Sequence, residues 1–211
     1  MVTVHVGHEA EQKSFAAYES VLSARSQYCK DKLAHSTTEP KTIVLSDHHP
    51  DIFTLYLQLL YTDRIPSRSP AFSKDIDVEF KRLCNLYILA HDLEDLTSQN
   101  LLIDALHAKA NEVTISVNIT PNKSLPSREN IETVFMRTAG SCGARRLLVD
   151  LYASRATGVD MRGDGQLFPH KFTSELAAVL LDGKRSSMRA VDAYYDEVAK
   201  KENEDAKKGK K

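Results

Sequence analysis

The stretch Val2-Thr3-Val4-His5-Val6-Gly7 alternates apolar and polar residues, is rich in β-branched side chains and closes on a glycine. That is the pattern of a half-buried strand ending in a turn. A second strand is expected over Lys13 to Ala17, which makes a hairpin through His8 to Gln12, and Thr42 to Leu45 is a third β-branched run. The other periodic segments are helical. Ser20 is expected to cap a helix carrying Val21, Leu22, Ala24, Tyr28 and Leu33. Pro50 opens another, with Ile52, Phe53, Leu55, Tyr56, Leu59 and Leu60 as a wide apolar face. After Val78, the residues Leu83, Leu86, Tyr87, Ala90 and Leu93 recur at helical spacing, and Thr97 or Ser98 is placed to cap a further helix with Leu101, Leu102, Ala105 and Leu106 inward. Short strands among dominant helices call for an α+β fold.

Ile65 to Lys74 holds two prolines and three serines with no apolar period and is expected to be an exposed loop. Val113, Ile115, Val117 and Ile119 alternate with polar residues, which reads as an extra strand or an extended linker. Pro121 to Pro126 then breaks the chain, and the rest reads as helix. Ser127 caps a helix with Ile131, Val134 and Phe135, stopped at Gly140. Ser141 or Gly143 starts the next, with Ala144, Leu147, Leu148, Leu151 and Tyr152 on one face. Gly158 to Gly165 is expected to be a loop. Phe172, Leu176, Val179 and Leu180 form a third helix ended by Gly183, and Met188, Val191, Tyr195 and Val198 suggest a fourth. The expected organisation is a domain over residues 1–112, a linker over 113–126, a helical extension over 127–199 and a disordered lysine-rich tail over 200–211.

Composition narrows the function classes. The 211 residues are 42% apolar and 27% charged, a globular balance, and 28 Lys+Arg against 29 Asp+Glu leave a net charge of -1, which argues against a generally basic nucleic-acid binder. The longest apolar runs, such as Ala177 to Leu181, are far too short to span a membrane, and the N-terminus lacks the pattern of a signal peptide. Cys29, Cys84 and Cys142 are odd in number and widely spaced, so neither a disulfide framework nor a structural zinc site is expected, and the natural compartment is the cytoplasm or nucleus.

Residues 1–111 resemble the BTB/POZ domain. The resemblance rests on Val2 to Gly7, Phe15 to Cys29, Ile43-Val44-Leu45-Ser46-Asp47, Pro50-Asp51-Ile52-Phe53 leading into Leu59-Leu60-Tyr61-Thr62-Asp63, and Leu86 to Leu96, all in the family's order. The helical part, with Arg145-Arg146-Leu147-Leu148-Val149-Asp150-Leu151-Tyr152, is similar to the C-terminal extension of fungal single-BTB proteins. The resemblance implies a small sheet flanked by helices that serves as a protein–protein interaction module. With no catalytic constellation in the sequence, the chain is read as an adaptor or scaffold without a cofactor and not as an enzyme; an enzyme of unrecognised type is the out-of-class alternative. Two partners follow from it. One is a cullin scaffold of a ubiquitin ligase. The surface it would use lies on the helix after Pro50, the loop after Tyr61-Thr62-Asp63 and the following helices, with Asp63, Arg64, Phe72, Ile76, Val78 and Glu79 as candidate protein-binding residues. The other is a second copy of the chain, in a self-associating scaffold of transcription or chromatin. Because the chain starts at the first strand, a homodimer is expected to form without the exchanged N-terminal segment of some relatives. Where transcription repressors of the family carry a His and a basic residue, this chain has Tyr18 and Glu19, and Met1 stands where they carry an Asp. Corepressor peptides that use that charged groove are therefore not expected to bind.

Other chemistry is weaker. His5 and His8 are three apart and His48-His49 adjacent, but no third ligand is suitably spaced, so turn and surface roles are expected. His91 reads as a structural histidine in a helix. Gly140-Ser141-Cys142-Gly143 is not a nucleophile elbow and reads as one helix ending and another starting. Asp160 to Gly165 departs from a calcium loop at Arg162, and Lys171 stands where the bidentate acid belongs. Ser69-Pro70 is a candidate phosphorylation dipeptide in the exposed loop.

Overall fold

The computed structural model describes residues 1–36, 40–65, 76–115, 125–162, 167–183 and 188–196. Strand β1 (Val2–Val6) is central in a three-stranded sheet of order β2-β1-β3. It pairs antiparallel with β2 (Lys13–Ala17), from Val2↔Ala17 to Val6↔Lys13, and parallel with β3 (Thr42–Leu45), from Thr3↔Thr42 to Val6↔Leu45. The alternation fixes the faces: Val2, Val4 and Val6 are buried, with Ile43 and Leu45 beside them, while Val44 points to water. The hairpin turns through a 3-10 turn at Glu9–Glu11. Gly7 enters it at φ +99, and a Cβ there would press on the Pro50 ring at 3.3 Å, so glycine is needed both for the backbone and for the close approach. A parallel pair needs a crossover, and the chain between β2 and β3 supplies it as two helices.

Those two helices correct an expectation. Ser20 does not cap one long helix; α1 (Glu19–Arg25) starts after Tyr18 and breaks at Ser26, whose extended backbone opens α2 (Gln27–Ala34). Ser26 Oγ accepts from the Cys29 amide at 3.0 Å and donates to the Leu93 carbonyl at 2.6 Å, so a buried serine both caps α2 and ties the corner to the later helices. Helix α3 (Pro50–Thr62) follows as expected, with Pro50 in its first turn and the His49 ring accepting from the Asp51 amide. It ends at Asp63 in the left-handed region.

Helix α4 (Ile76–Asp92) and helix α5 (Leu96–Ile115) form the centre. Neither Thr97 nor Ser98 caps α5. Glu94 takes a left-handed turn, and the Asp95 carboxylate accepts from the Ser98 amide at 2.9 Å, so the cap lies two to three residues earlier. Val113 and Ile115 belong to α5, not to a strand; a helix already nucleated extends at little cost through β-branched residues. Val117, Ile119, the proline-bounded segment up to Ser124 and the loop from Pro66 to Lys74 lie outside the described residues, as does the lysine-rich tail.

Helix α6 (Arg128–Arg137) is capped by Ser127 as read, but stops at Thr138, before Gly140. Helix α7 (Gly143–Arg155) follows, then the short α8 (Gly158–Arg162), where a loop was expected, and α9 (His170–Leu181). Leu180, expected inward on α9, is exposed. No fourth helix forms around Met188 to Tyr195: the segment is extended around one 3-10 turn at Val191–Tyr194, because side chains of α5 and α7 bond its backbone instead. Val198 lies outside the described residues.

A continuous cluster of buried apolar side chains runs from the inner face of the sheet through α3, α4 and α5 to α6, α7 and Phe172 of α9. No helix among the described residues is long and apolar enough to cross a membrane.

Candidate protein-interaction site

The candidate surface begins where α3 ends. The Asp63 amide donates to the Leu59 carbonyl at 2.9 Å, and the Arg64 amide donates to Thr62 Oγ1 at 3.2 Å, so the reversal is locked locally. Asp63 is exposed but also takes a 2.8 Å bond from Arg25 Nη1. Tyr61 is half exposed on the last turn of α3. Phe72 lies outside the described residues; Ile76 is the first residue of α4, and its side chain is likewise not described. Val78 is half-buried. Glu79 is mostly covered and ion-paired to Lys109 of α5, so it braces α4 against α5 as well as standing at the surface.

The start of α4 is also joined to α6. Asp77 accepts from the Asn130 side-chain amide at 2.7 Å and from the Ser127 amide at 3.2 Å, and Lys81 reaches Glu129 at 2.6 Å. The N-terminus of α6 is thereby set beside the start of α4, making one surface from segments fifty residues apart in sequence.

Beneath Asp63 lies a buried polar hub that the sequence reading missed. Asp95 has no exposure and takes hydrogen bonds from Tyr56 Oη at 3.0 Å and Ser98 Oγ at 2.6 Å, besides the Ser98 amide. Arg25 bridges it to Asp63, donating to Asp95 Oδ1 at 3.5 Å and to Ser98 Oγ at 3.0 Å. Burial and the adjacent Asp95 carboxylate push the Tyr56 phenol well above its ordinary range, so it stays a donor. Burial opposes the Arg25 charge, but the Asp63 hydrogen bond and Asp95 outweigh it and raise its pKa. The hub fixes α1, α3 and the α4–α5 turn as one rigid unit behind the surface.

A second charged cluster joins the start of α3 to the end of α6. Asp92 contacts His48 Nε2 at 3.0 Å and Arg137 Nη2 at 3.2 Å, and Arg137 also donates to the Asp47 carbonyl. Burial raises the Asp92 pKa, yet His48 and Arg137 prevail and hold it below the ordinary carboxylate value. His48 and His49 thus serve as a partner of the Asp92 carboxylate and a helix cap, and His91 lies against Gln99 and the Tyr87 ring.

The family model of the BTB/POZ domain matches residues 2–98, from the first strand into the start of α5. Residues 2–98 are a BTB/POZ domain. No curated protein matches it. The BTB/POZ domain is a protein–protein interaction module, and the three-stranded sheet packed on helices is its α+β fold, followed here by further helices. At the position of the repressors' charged groove, Tyr18 is exposed and Glu19 is paired with Lys41 at 2.8 Å.

The cysteines fit structural roles. All three are buried, and burial pushes the Cys84 thiol up to about 12 and raises that of Cys29. Cys142 sits at the start of α7 between Gly140, at φ +64, and Gly143. Arg145 explains this corner better than nucleophilic chemistry does. Buried under α6, its guanidinium donates to the Phe135, Thr138 and Gly140 carbonyls and to Thr138 Oγ1, satisfying the acceptors that the end of α6 leaves open. Among the described residues no group of three His, Cys, Asp or Glu side chains is placed to hold a metal ion.

Proposed function

We propose that this BTB/POZ protein is an adaptor that recruits a protein substrate to a cullin scaffold in the cytoplasm or nucleus. The observation that carries the reading is the composite surface made where Asp77 and Lys81 hold the start of α6 beside the start of α4. A cullin's helical repeat needs such a composite face, with one or two apolar anchors at its centre and charged groups at the rim. Phe72 and Val78 are the anchors in this reading, and Arg64 is the rim charge. Calorimetry of the full chain against a cullin N-terminal domain tests it. Binding that falls at least tenfold in Phe72→Ala and less in Arg64→Ala supports the adaptor; no heat from the wild type removes it.

A self-associating scaffold is favoured instead by the sheet. Among the described residues β2 and β3 pair only with β1, which leaves both outer edges open, and Val44 and Tyr18 are exposed near them. Sedimentation of the wild type over a hundredfold range of concentration separates the two readings.

A further inference from the structure

Residues 189–196 lie across α5 and α7 in a groove whose polar groups read a peptide backbone. The Asn100 side chain pairs with Asp196 in both directions: its Oδ1 accepts from the Asp196 amide at 2.9 Å and its Nδ2 donates to the Asp196 carbonyl at 3.3 Å. Arg146 Nη2 donates to two successive carbonyls, Tyr194 at 3.1 Å and Tyr195 at 3.2 Å. An amide clamp and a guanidinium on adjacent carbonyls hold the backbone where it leaves the 3-10 turn, whatever its side chains.

Side-chain recognition is added to this. Tyr194 is fully buried and donates to Asp150 Oδ2 at 2.9 Å; Tyr195 donates to Asp104 Oδ1 at 2.6 Å. The Asp196 carboxylate accepts from the Gly143 amide at 2.7 Å at the start of α7 and from the Tyr87 hydroxyl of α4, with Arg146 at 3.5 Å. Gly143 is fitted to this occupant: a Cβ there would overlap the Tyr194 carbonyl oxygen. Two tyrosine hydroxyls each find a carboxylate, and one aspartate finds a helix start and a guanidinium.

We infer that the groove between α5 and α7 is a peptide-recognition site for a Tyr-Tyr-Asp segment of a partner protein that leaves a 3-10 turn at its first tyrosine, and that residues 189–196 are its exchangeable internal occupant. The specificity follows from the contacts. The first tyrosine enters the apolar pocket that ends at Asp150, the second reaches Asp104, and the acid binds the amide of Gly143. A tethered occupant competes at an effective concentration in the millimolar range, so a partner segment binds when the strap is weakened or released. The site is built chiefly on α5 and α7, not on the ends of α3 and α4, so its test is separate from that of cullin binding.

The probe is a fluorescein-labelled peptide of residues 188–196, titrated by anisotropy into the full-length chain. In Tyr194→Ala/Asp196→Ala the strap loses its buried ring and its carboxylate, while the groove is unchanged. We expect this variant to bind the peptide at least tenfold more tightly than the wild type does, and Asn100→Ala added to it to abolish binding. Unlabelled peptide at saturation should also raise the variant's melting temperature. Circular dichroism establishes that the variant is folded; should it not be, Asp196→Ala alone takes its place, since it keeps both tyrosines and removes only the charged contact. A folded variant that binds no peptide overturns the proposal, as does affinity that Asn100→Ala leaves unchanged. Concentration-dependent dimers of the wild type that dissociate on adding the peptide would assign the groove to the strap of a second copy and overturn the partner reading.

Discussion

Asp95→Ala should be among the most damaging single substitutions in the chain although it removes only a small polar group. The carboxylate has no exposure and caps α5, which is worth about 1 kcal/mol. Its loss also leaves the Tyr56 hydroxyl, a fully buried donor, without its partner, which costs roughly 1–3 kcal/mol. Ser98 Oγ keeps its bond from Arg25, and Arg25 keeps Asp63, so neither adds a further full penalty. The expected loss is about 2–4 kcal/mol, a large share of the 5–15 kcal/mol typical of a folded domain. Urea unfolding followed by circular dichroism measures it.

The double-mutant cycle with Tyr56→Phe sharpens the test. If an orphaned phenol is the larger cost, removing its hydroxyl should return part of what Asp95→Ala lost. The two changes together should then be less destabilising than their sum by on the order of 1 kcal/mol or more. Asp95→Asn should fall between, since its amide oxygen still caps Ser98 while its NH2 group faces a donor. A loss below about 1 kcal/mol for Asp95→Ala, or strict additivity in the cycle, would refute the hub as the rigid element behind the end of α3.

Leu86 is almost fully buried in α4, so Leu86→Ala should lower stability by roughly 2–5 kcal/mol; a loss under about 0.5 kcal/mol in urea unfolding would place that face in water. Asp92 has a folded pKa below its unfolded value of about 3.9, so its contribution is present in full above that pH and is lost as pH falls through the lower folded value. Asp92→Asn should therefore flatten the dependence of stability on pH between about 5 and 3, and an unchanged slope would show that His48 and Arg137 do not stabilise the carboxylate. Peptides that need a basic residue at the position of Glu19 should not bind, because Glu19 repels acidic partners and its own partner is already Lys41; micromolar binding by titration that disappears in Glu19→Ala would contradict this.

The strands and the long helices were legible because one face of each carries a clear period: Val2, Val4 and Val6 in β1, and the broad apolar faces of α3 and α4. What failed was the placement of breaks and caps. The apolar spacing of Leu22 and Leu33 continues across Ser26, so nothing local marks the corner; the break is set by a bond to the Leu93 carbonyl, sixty-seven residues away. Asp95, Thr97 and Ser98 are all acceptable caps by type, and the choice follows from where Glu94 turns. The strap failed for a different reason. Met188, Val191 and Tyr195 have helical spacing, yet a helix that short is marginal alone; Asn100 and Arg146 offer its backbone better partners, and the Gly143 amide takes the Asp196 carboxylate. Of the candidate binding residues, sequence order showed that Asp63 and Glu79 lie at the ends of successive helices. It did not show that each would be held by a cation, Arg25 or Lys109.

The relation of the C-terminal helices to the BTB/POZ domain follows from α4. Leu86, Tyr87, Ile88, Leu89 and Ala90 are consecutive, and each is at most 2% exposed. Five successive residues pass more than once around a helix of 3.6 residues per turn, so α4 is covered on every side here. A surface helix keeps one polar face; one that is apolar all round is an interior helix. Helices α3 and α5 cover part of α4 and α6 covers another part, with α7 and the strap closing over α5. The family match ends at residue 98, but the core does not. A segment ended there would turn part of that apolar circumference to water. The helices beyond are therefore part of what allows α4 to be so apolar, and the surface they make with its first turn is held in place by that shared core.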